Sequence, residues 1–338
     1  MTTRILVTGY GGFLGSCICR QLVQLGYQVY GIARHVYPEL REIGVQTFVG
    51  DVTHIDQCRL AVKGMDGIIH TAALAGVWGK RSDFESVNVS ATNNLLQVAH
   101  EFGVHAFVHC SSPSVTFDGK PQSGIDESVG YPKTWLCDYP RTKAIAEQLV
   151  LNSHDPQKLW TIALRPHLIW GEGDPHLIPR LIRRCLEGRL RCVGDGSNLI
   201  DTVHVSNAAQ AHVLALKRLL SNDTHAAGRA YFISDNEPIS CWMWISKILE
   251  AGGLEVPRKR ISLANAYRIG TLLEVIYRVA HVHSEPPMTR FVALQLGVDH
   301  YFSTQSAQDR LEYKPAVDRQ DELQKMSPWL RTIAANFR

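Results

Sequence analysis

Arg-Ile-Leu-Val-Thr-Gly-Tyr-Gly-Gly-Phe-Leu-Gly, residues 4–15, joins a short apolar run to a loop in which glycines recur at every third position. The apolar run predicts a buried strand, and the pattern over residues 16–25 predicts a helix directly after the loop. Gly9, Gly12 and Gly15 would serve a tight turn, a close approach of the backbone to a pyrophosphate, and close packing of helix on strand. Because free N–H groups at a helix N-terminus attract phosphate, this order of elements predicts a dinucleotide site rather than a purely structural turn.

The end of the second predicted strand, residues 28–33, indicates which dinucleotide binds. An acidic residue there would hold the ribose 2′-hydroxyl of NAD. This chain instead has Ala33 followed by Arg34, whose guanidinium can form a fork on a 2′-phosphate. The sequence therefore favours NADP(H) over NAD(H); the alternative is that Arg34 is a solvated loop residue.

Strands and helices alternate along the first half of the chain. The further predicted strands cover 46–50, 67–70, 106–111 and 161–165, and the further predicted helices cover 54–63, 84–102 and 139–152. This alternation is typical of an α/β protein with a doubly wound parallel sheet, in which ligands bind at the carboxyl ends of the strands. Besides the glycines, we expect the cofactor to contact Phe13, Leu14, Asp51, Val52, Thr71, Ala72, Ala73 and Ser111. Asp51 can reach the adenine amine, or it can cap a helix.

Tyr139-Pro-Arg-Thr-Lys143 places a phenol and an ammonium group on one face of a predicted helix. Because a nearby positive charge favours the phenolate, we expect Lys143 to lower the pKa of Tyr139. Asp138 can cap the helix start, and Pro140 suits a first turn. Ser112 ends the fifth predicted strand, where its hydroxyl can hold a carbonyl oxygen; taken alone it would be a turn residue.

Composition excludes several classes of protein. The 338 residues carry a net charge of only +3 without a basic run, which argues against a nucleic-acid partner. The eight cysteines form no Cys-x-x-Cys pair, so we interpret them as reduced thiols rather than disulfides or zinc ligands, and no metal site is expected. Without a signal core or a membrane span of about 20 apolar residues, the chain is predicted to be cytoplasmic.

The residues described so far resemble the extended short-chain dehydrogenase/reductases, in which Thr-Gly-x-x-Gly-x-x-Gly, a serine and Tyr-x-x-x-Lys occur in this order. Within them the chain is similar to the 3β-hydroxysteroid dehydrogenase group, and in particular to bacterial 2-alkyl-3-oxoalkanoate (β-keto acid) reductases of olefin biosynthesis. The likeness is carried by residues 70–80, 111–119, 139–151, 164–182, 194–216, 231–238 and 285–291. It therefore spans nearly the whole chain.

The resemblance implies roles for individual residues. It assigns catalysis to Ser112, Tyr139 and Lys143, with Tyr139 as proton donor to a carbonyl oxygen that Ser112 holds, and with Lys143 on the nicotinamide ribose. It also implies that Asn88 supports the site. The turn Arg165-Pro166-His167 would lie beside the nicotinamide, so Pro166 and His167 are expected cofactor contacts.

The substrate contacts are expected at Trp78, Pro113 and Trp135. Pro113 stands where many relatives have alanine, and it would restrict what reaches the carbonyl. Trp78 and Trp135 flank the predicted site in sequence and would give it an apolar mouth.

The resemblance also implies a discontinuous second domain. Residues 1–165 would bind the dinucleotide, with 200–235 rejoining the sheet, and 166–199 and 236–338 would form the smaller substrate domain. The helical pattern over 264–280 predicts a helix packed on that domain, or a lid or membrane contact over an apolar substrate. A homodimer through 84–102 and 139–152 is a further expectation from the family.

The sequence thus predicts a reductase or dehydrogenase that interconverts a ketone and a secondary alcohol on a large apolar substrate. Two alternatives share its motifs: a nucleotide-sugar epimerase or dehydratase with tightly bound NAD, and a non-catalytic protein that senses NADP. The sequence does not decide between a steroid and a β-keto acid, nor does it identify a cation for a substrate carboxylate.

Overall fold

The computed structural model describes residues 2–337. Its strands are β1 (Arg4–Thr8), β2 (Gln28–Ala33), β3 (Gln46–Val49), β4 (Gly67–His70), β5 (Ala106–Cys110), β6 (Gln122–Ile125), β7 (Trp160–Pro166), β8 (Ile169–Trp170), β9 (Cys192–Val193), β10 (Leu199–Ile200), β11 (Val203–His204), β12 (Arg229–Ile233), β13 (Ile239–Ser240), β14 (Arg260–Ile261) and β15 (His300–Phe302). Its α-helices are α1 (Phe13–Gln24), α2 (Pro38–Glu42), α3 (Ile55–Val62), α4 (Arg81–Phe84), α5 (Ala91–Phe102), α6 (Asp138–Asn152), α7 (Leu177–Leu186), α8 (Val205–Leu220), α9 (Cys241–Ala251), α10 (Leu263–Val279), α11 (Arg290–Gly297), α12 (Gln305–Leu311) and α13 (Arg319–Asn336).

A seven-stranded parallel sheet in the order β12-β7-β5-β4-β1-β2-β3 forms the centre of the molecule. Apolar side chains cover both of its faces: α1 and α8 pack on one, and α3 and α5 pack on the other. The strand order reverses between β1 and β4, which in such sheets opens a crevice for a ligand at the carboxyl ends. The predicted doubly wound α/β fold is confirmed.

The second half of the chain adds a smaller layer. A four-stranded sheet has the order β13-β10-β15-β6, so β6 from the first half pairs there with β15 through the register His300 to Gln122. Helices α7, α9 and α13 share a separate apolar core around Trp170 and Trp244. Meanwhile β12 returns to the large sheet beside β7.

The helix predicted over 84–102 is not a single α-helix. It begins as α4, passes through a π-helical turn at Glu85–Ser90, and continues as α5. The extra residue of such a turn redirects the side chains that it carries, and π-turns occur frequently at functional sites. Asn88 is one of these residues and is buried.

Helix α6 begins at Asp138 with Cys137 as its N-cap residue. Asp138 is therefore inside the first turn, and its expected capping role is wrong. Its carboxylate instead pairs with Arg141 one turn later, at 2.9 Å. Pro140 lies in the first turn as predicted, where a missing N–H costs little.

Helix α10 buries small residues and exposes apolar ones. Ala266, Gly270 and Glu274 face the protein, and a Cβ on Gly270 would lie 2.6 Å from the backbone of Thr289. The exposed apolar side chains are Ile269, Leu272, Val275, Ile276 and Val279. Within residues 2–337, none of the helices has the length and apolar character needed to cross a membrane.

Candidate active site

A cavity of about 480 Å³ opens at the carboxyl edge of the large sheet. The residues predicted from sequence that line it are Gly12, Phe13, Leu14, Thr71, Ala73, Ser111, Ser112, Pro113, Tyr139, Lys143, Pro166 and His167. Residues far apart in the chain thus meet in one place, and they include all three predicted catalytic residues.

The glycine loop has the geometry of a phosphate cradle. Gly9 has a φ of +66°, and a Cβ on it would lie 2.9 Å from the Ala72 nitrogen. A Cβ on Gly15 would collide with the Gly9 carbonyl oxygen, so α1 packs directly against β1. The N-cap of α1 is Gly12, and its first turn has neither a capping side chain nor an acidic residue. Its free N–H groups therefore suit the pyrophosphate of a dinucleotide.

A fourth glycine, Gly11, was not predicted to have a role. A side chain at this position would collide with the ring of Tyr37, which follows β2. Tyr37 also packs edge-on against Tyr10, with 5.2 Å between the ring centroids. The glycine loop and the segment after β2 are therefore packed against each other.

The residues expected at the adenine end lie outside the cavity. Arg34 is exposed just beyond β2. Asp51 accepts hydrogen bonds from the Thr53 nitrogen (2.9 Å) and hydroxyl (2.8 Å), and these bonds, against the opposing effect of burial, lower its pKa. Val52 packs into the core between the sheet and α3. Asp51 thus forms a local turn and caps no helix, since the N-cap of α3 is His54.

A buried hydrogen-bond chain fixes the loop after β4. The Ala72 nitrogen donates to the Thr8 hydroxyl, which lies 2.7 Å from His70 Nδ1. His70 Nε2 lies 2.9 Å from the Thr92 hydroxyl, which donates to the Asn88 carbonyl oxygen. Burial, and then the charge of Lys143, lowers the pKa of His70 to about 3, so the ring is neutral. Ala72 therefore holds the loop without facing the cavity.

Asn88 supports the site from the π-helical turn. Its side chain accepts a hydrogen bond from the Leu74 nitrogen (2.7 Å) and donates to the Leu74 carbonyl oxygen (3.1 Å) and the Thr142 hydroxyl (3.0 Å). It thereby ties the loop after β4 to α6, one residue away from Lys143. Asn88 is a supporting residue and does not line the cavity.

The two serines after β5 are in different environments. The Ser111 hydroxyl is buried and has no hydrogen-bond partner among the described residues. Ser112 Oγ lies 2.9 Å from Ser114 Oγ and accepts a weaker bond from the Ser114 nitrogen. The Ser112 hydroxyl also acts to lower the pKa of the Tyr139 phenol, and both side chains line the cavity. Ser112 is therefore the serine placed to share an oxygen with Tyr139.

The expected lowering of the Tyr139 pKa is wrong for this structure. Burial is the main influence and raises that pKa to about 12, with the Cys110 thiol adding to the rise and Ser112 opposing it. Lys143 Nζ instead donates to the Cys110 carbonyl oxygen at 2.5 Å and lies 3.3 Å from His109 Nε2. Its hydrogen bonds are thus directed at β5, and the phenol retains its proton.

His167 lines the cavity, but its ring belongs to a hydrogen-bond chain within the protein. Its Nδ1 lies 2.7 Å from the Asp201 carboxylate, and its Nε2 lies 3.1 Å from His300 Nδ1. His300 Nε2 lies 2.6 Å from the Gln295 carbonyl oxygen. Burial, and then the neighbouring His167, lowers the pKa of His300 to about 3, so the His300 ring is neutral.

Two of the expected substrate contacts lie elsewhere. The Trp78 indole donates to the Val282 carbonyl oxygen (3.0 Å) and packs under Arg278, beside the end of α10. The Trp135 indole donates to the Val115 carbonyl oxygen (3.2 Å). Neither tryptophan lines the cavity, whereas Pro113 does.

The apolar wall of the cavity comes mainly from residues that were not predicted. Phe117 and Phe291 meet edge to face with centroids 5.8 Å apart, and Phe302 also contributes to the wall. Gln122 and Gln295 add polar atoms. The available signals were the stretches 111–119 and 285–291, which contain Phe117 and Phe291 and carry part of the family likeness but give no role to either phenylalanine.

A sequence model of the 3-beta hydroxysteroid dehydrogenase/isomerase family matches residues 6–264. The chain belongs to that family. This confirms the family predicted from the motifs and makes the protein an oxidoreductase of the extended short-chain dehydrogenase/reductase type.

Individual members of the family are similar over nearly the full length. The chain is 42% identical over 325 residues to the 2-alkyl-3-oxoalkanoate reductase of Stenotrophomonas maltophilia, covering 96% of this chain and 98% of that one. It is 40% identical over 326 residues to the enzyme of the same name from Shewanella oneidensis, covering 95% and 84%. A solved structure of MoeE5 in complex with UDP-glucose and NAD is 25% identical, with a TM-score of 0.74 over 97% of this chain and 99% of that one.

Proposed function

We propose that the protein is an NADP(H)-dependent reductase of a ketone on a large apolar substrate, of the 2-alkyl-3-oxoalkanoate kind. The observation that carries this proposal is the single cavity in which the N-terminus of α1 meets Ser112, Tyr139 and Lys143, with phenylalanines on the far wall. The printed names of the two bacterial relatives supply the substrate class.

A nicotinamide cofactor bound along α1 and the ends of β4 and β7 would supply the hydride. In the reducing direction the Tyr139 hydroxyl donates its proton to the substrate oxygen, which the Ser112 hydroxyl orients. A phenol that is protonated at neutral pH is a competent donor for this step. Lys143 holds the cofactor ribose, and Phe117 and Phe291 exclude water from the reacting carbonyl.

The preference for NADP(H) is part of the proposal. No carboxylate stands at the end of β2, and the carboxylate at the end of β3, Asp51, is engaged by Thr53. Arg34 is exposed and has no hydrogen-bond or ion-pair partner within residues 2–337, although its charge helps to lower the pKa of Asp51, so its guanidinium can turn to a 2′-phosphate. Since hydrogen bonds to charged groups contribute roughly 1.5–3 kcal/mol, we expect Arg34→Ala to weaken NADPH binding about 10–100-fold and NADH binding little, as measured by fluorescence titration.

The reaction is tested by following NADPH oxidation with a 2-alkyl-3-keto acid and, in parallel, with a 3-ketosteroid. Tyr139→Phe should lower kcat by roughly 10²–10⁴-fold, because the general acid is lost, while the affinity for NADPH stays near that of the wild type. Unchanged turnover in this variant contradicts the mechanism. If only the 3-ketosteroid is reduced, a steroid replaces the 2-alkyl-3-keto acid as the proposed substrate. A preference for NADH over NADPH would overturn the assignment of Arg34.

One alternative has a specific observation in its favour. The similarity to MoeE5, whose structure contains UDP-glucose and NAD, keeps a nucleotide-sugar reaction open. Such an enzyme retains NAD through its cycle, so dinucleotide released by denaturing the purified protein would favour it. If NADPH binds but no ketone is reduced, the non-catalytic sensor is favoured instead.

The homodimer through residues 84–102 and 139–152 and the membrane contact of α10 both stay predictions. The exposed apolar face of α10 has the pattern that a membrane contact needs. Sedimentation of the purified protein tests the dimer, and binding to lipid vesicles tests the contact of α10.

A further inference from the structure

Lys143 is a buried ammonium group whose partners are not carboxylates. Its side chain is 2% exposed, and its hydrogen-bond partners among the described residues are the Cys110 carbonyl oxygen and His109 Nε2. The carboxylate on the same helix, Glu147, is bound to Arg165 at 2.6 Å. Because a buried charge is costly unless it is hydrogen-bonded, these two acceptors govern whether the ammonium form is tolerated.

His109 can accept this bond in only one of its neutral forms. An ammonium group donates and has no lone pair, so Nε2 must hold the lone pair and Nδ1 the proton. That Nδ1 is buried and has no hydrogen-bond partner within residues 2–337. An unpaired buried N–H is destabilising, and a phenylalanine would fill the space without it. Among the described residues, the hydrogen bond to Lys143 is therefore the one interaction that the polar edge of the His109 ring makes.

We propose that His109 is a positioning residue for the proposed reaction: its Nε2 lone pair holds Lys143 in the protonated form, at the cavity wall from which it serves Tyr139 and the cofactor ribose. The purpose assigned to Lys143 rests on the proposed function, but the contact between the two side chains does not.

Of the two side chains in this contact, Lys143 is the one that titrates while the other stays neutral. The titratable groups that act on this pair are His70 from β4, Cys110 from β5, Glu147 from α6 and His212 from α8. Burial, and then the charge of Lys143, holds the pKa of His109 well below its usual range. Burial also lowers the pKa of Lys143. His109 is therefore neutral wherever Lys143 titrates.

The first test uses the protein without cofactor, with carbon-13 at lysine Cε and Lys143→Met to assign the signal. His109→Phe should lower the titration midpoint of Lys143 by roughly 1–2 pH units, because the ammonium loses a hydrogen bond. His109→Gln places an amide oxygen at a similar reach and should recover at least half of that shift. An unchanged midpoint in His109→Phe overturns the proposal.

His105→Phe is the matched control. It makes the same change at the residue that directly precedes β5, about 13 Å from His109 along the extended chain, at a ring whose Nε2 has no hydrogen-bond partner among the described residues. Its Lys143 midpoint should equal that of the wild type. A shift as large as that of His109→Phe would mean that the loss of any nearby histidine moves the Lys143 midpoint, and would overturn the proposal.

A second test needs no variant of His109 to fold. In wild-type protein labelled with nitrogen-15 at histidine, the His109 ring should carry its proton on Nδ1 at pH 7. A proton on Nε2 would make Lys143 the acceptor and would overturn the proposal.

The activity profile separates this inference from the proposed function. If a ketone is reduced, the alkaline limb of kcat/KM should move with the Lys143 midpoint in His109→Phe and return towards the wild type in His109→Gln. If the wild type reduces no ketone, the proposed function fails, while both NMR measurements still decide the role of His109.

Discussion

Helices α6 and α10 each show a regular helical pattern and each bury a carboxylate, Glu147 or Glu274, yet of the two only α10 leaves a row of large apolar side chains exposed. Helix α6 packs charged residues, Lys143 and Glu147, against the sheet at 2% and 0% exposure. Helix α10 leaves Leu272 and Val279 at 61% and 76% exposure. The charged side chains of α6 can be buried because each has partners on the neighbouring strands β5 or β7. Helix α10 buries small residues because they let its backbone lie close to α11.

The difference teaches that apolar spacing identifies a helix without identifying its buried face. On α10 the buried positions are Ala266, Gly270 and Glu274, and Glu274 is held by Arg290 at 2.8 Å. On α6 the buried positions include polar ones that make hydrogen bonds or ion pairs. Predictions that separate the two helices therefore compare a buried charge with an exposed apolar side chain.

The largest effect on stability is expected at the buried ion pair of α6. Glu147 accepts hydrogen bonds from Arg165 and from the Tyr131 hydroxyl (2.6 Å). Glu147→Gln leaves the guanidinium without its carboxylate, so the free energy of unfolding in urea should fall by roughly 3–5 kcal/mol. The control is Glu187→Gln, at a solvent-exposed ion pair with Arg189, which should leave the urea midpoint nearly unchanged. Equal urea midpoints for the two variants would contradict the expected difference between the buried and the exposed ion pair.

A smaller effect, visible as pH dependence, is expected from a buried histidine on the opposite face of the sheet. Burial lowers the pKa of His212 to about 4. Unfolded chains then bind the proton more readily than folded ones, so stability is lost as the pH falls from about 6.5 to about 4. In His212→Leu this loss should be smaller by roughly 3 kcal/mol, as measured by urea unfolding at both pH values. If the free energy of unfolding depends on pH in the same way in the wild type and in His212→Leu, the assignment of this effect to His212 is wrong.

The smallest effect is expected on the exposed face of α10. The double variant Leu272→Ser/Val279→Ser removes two side chains that are not packed. Each substitution should change the free energy of unfolding by no more than about 0.5 kcal/mol. If α10 contacts a membrane, the same double variant should lose binding to lipid vesicles. Ala266→Leu, on the buried face, should instead cost about 1–3 kcal/mol through overpacking. Serine variants as destabilised as Ala266→Leu would show that this face is covered.

The sheet, the glycine loop and the catalytic residues could be predicted because each rests on short-range pattern. Gly9 to Gly15 lie within one loop, and Tyr139 and Lys143 lie one helical turn apart. The side-chain environment could not be predicted in the same way. The bond between His167 and His300 joins residues 133 positions apart, and Phe291 reaches the cavity only because α11 packs beneath α10. Trp78 and Trp135 do not line the cavity, because nearness in sequence does not fix the direction of a side chain.

The contact of Gly11 with Tyr37 has a consequence for changing the coenzyme that the protein uses. The segment from Arg34 to Tyr37 is the part that an engineer would exchange to recruit a different dinucleotide. Tyr37 rests on a position where any side chain would collide with it, so the two loops form one interlocking unit. A transplanted specificity loop that lacks this aromatic ring would leave a gap over the phosphate cradle, and the two segments would have to be exchanged together.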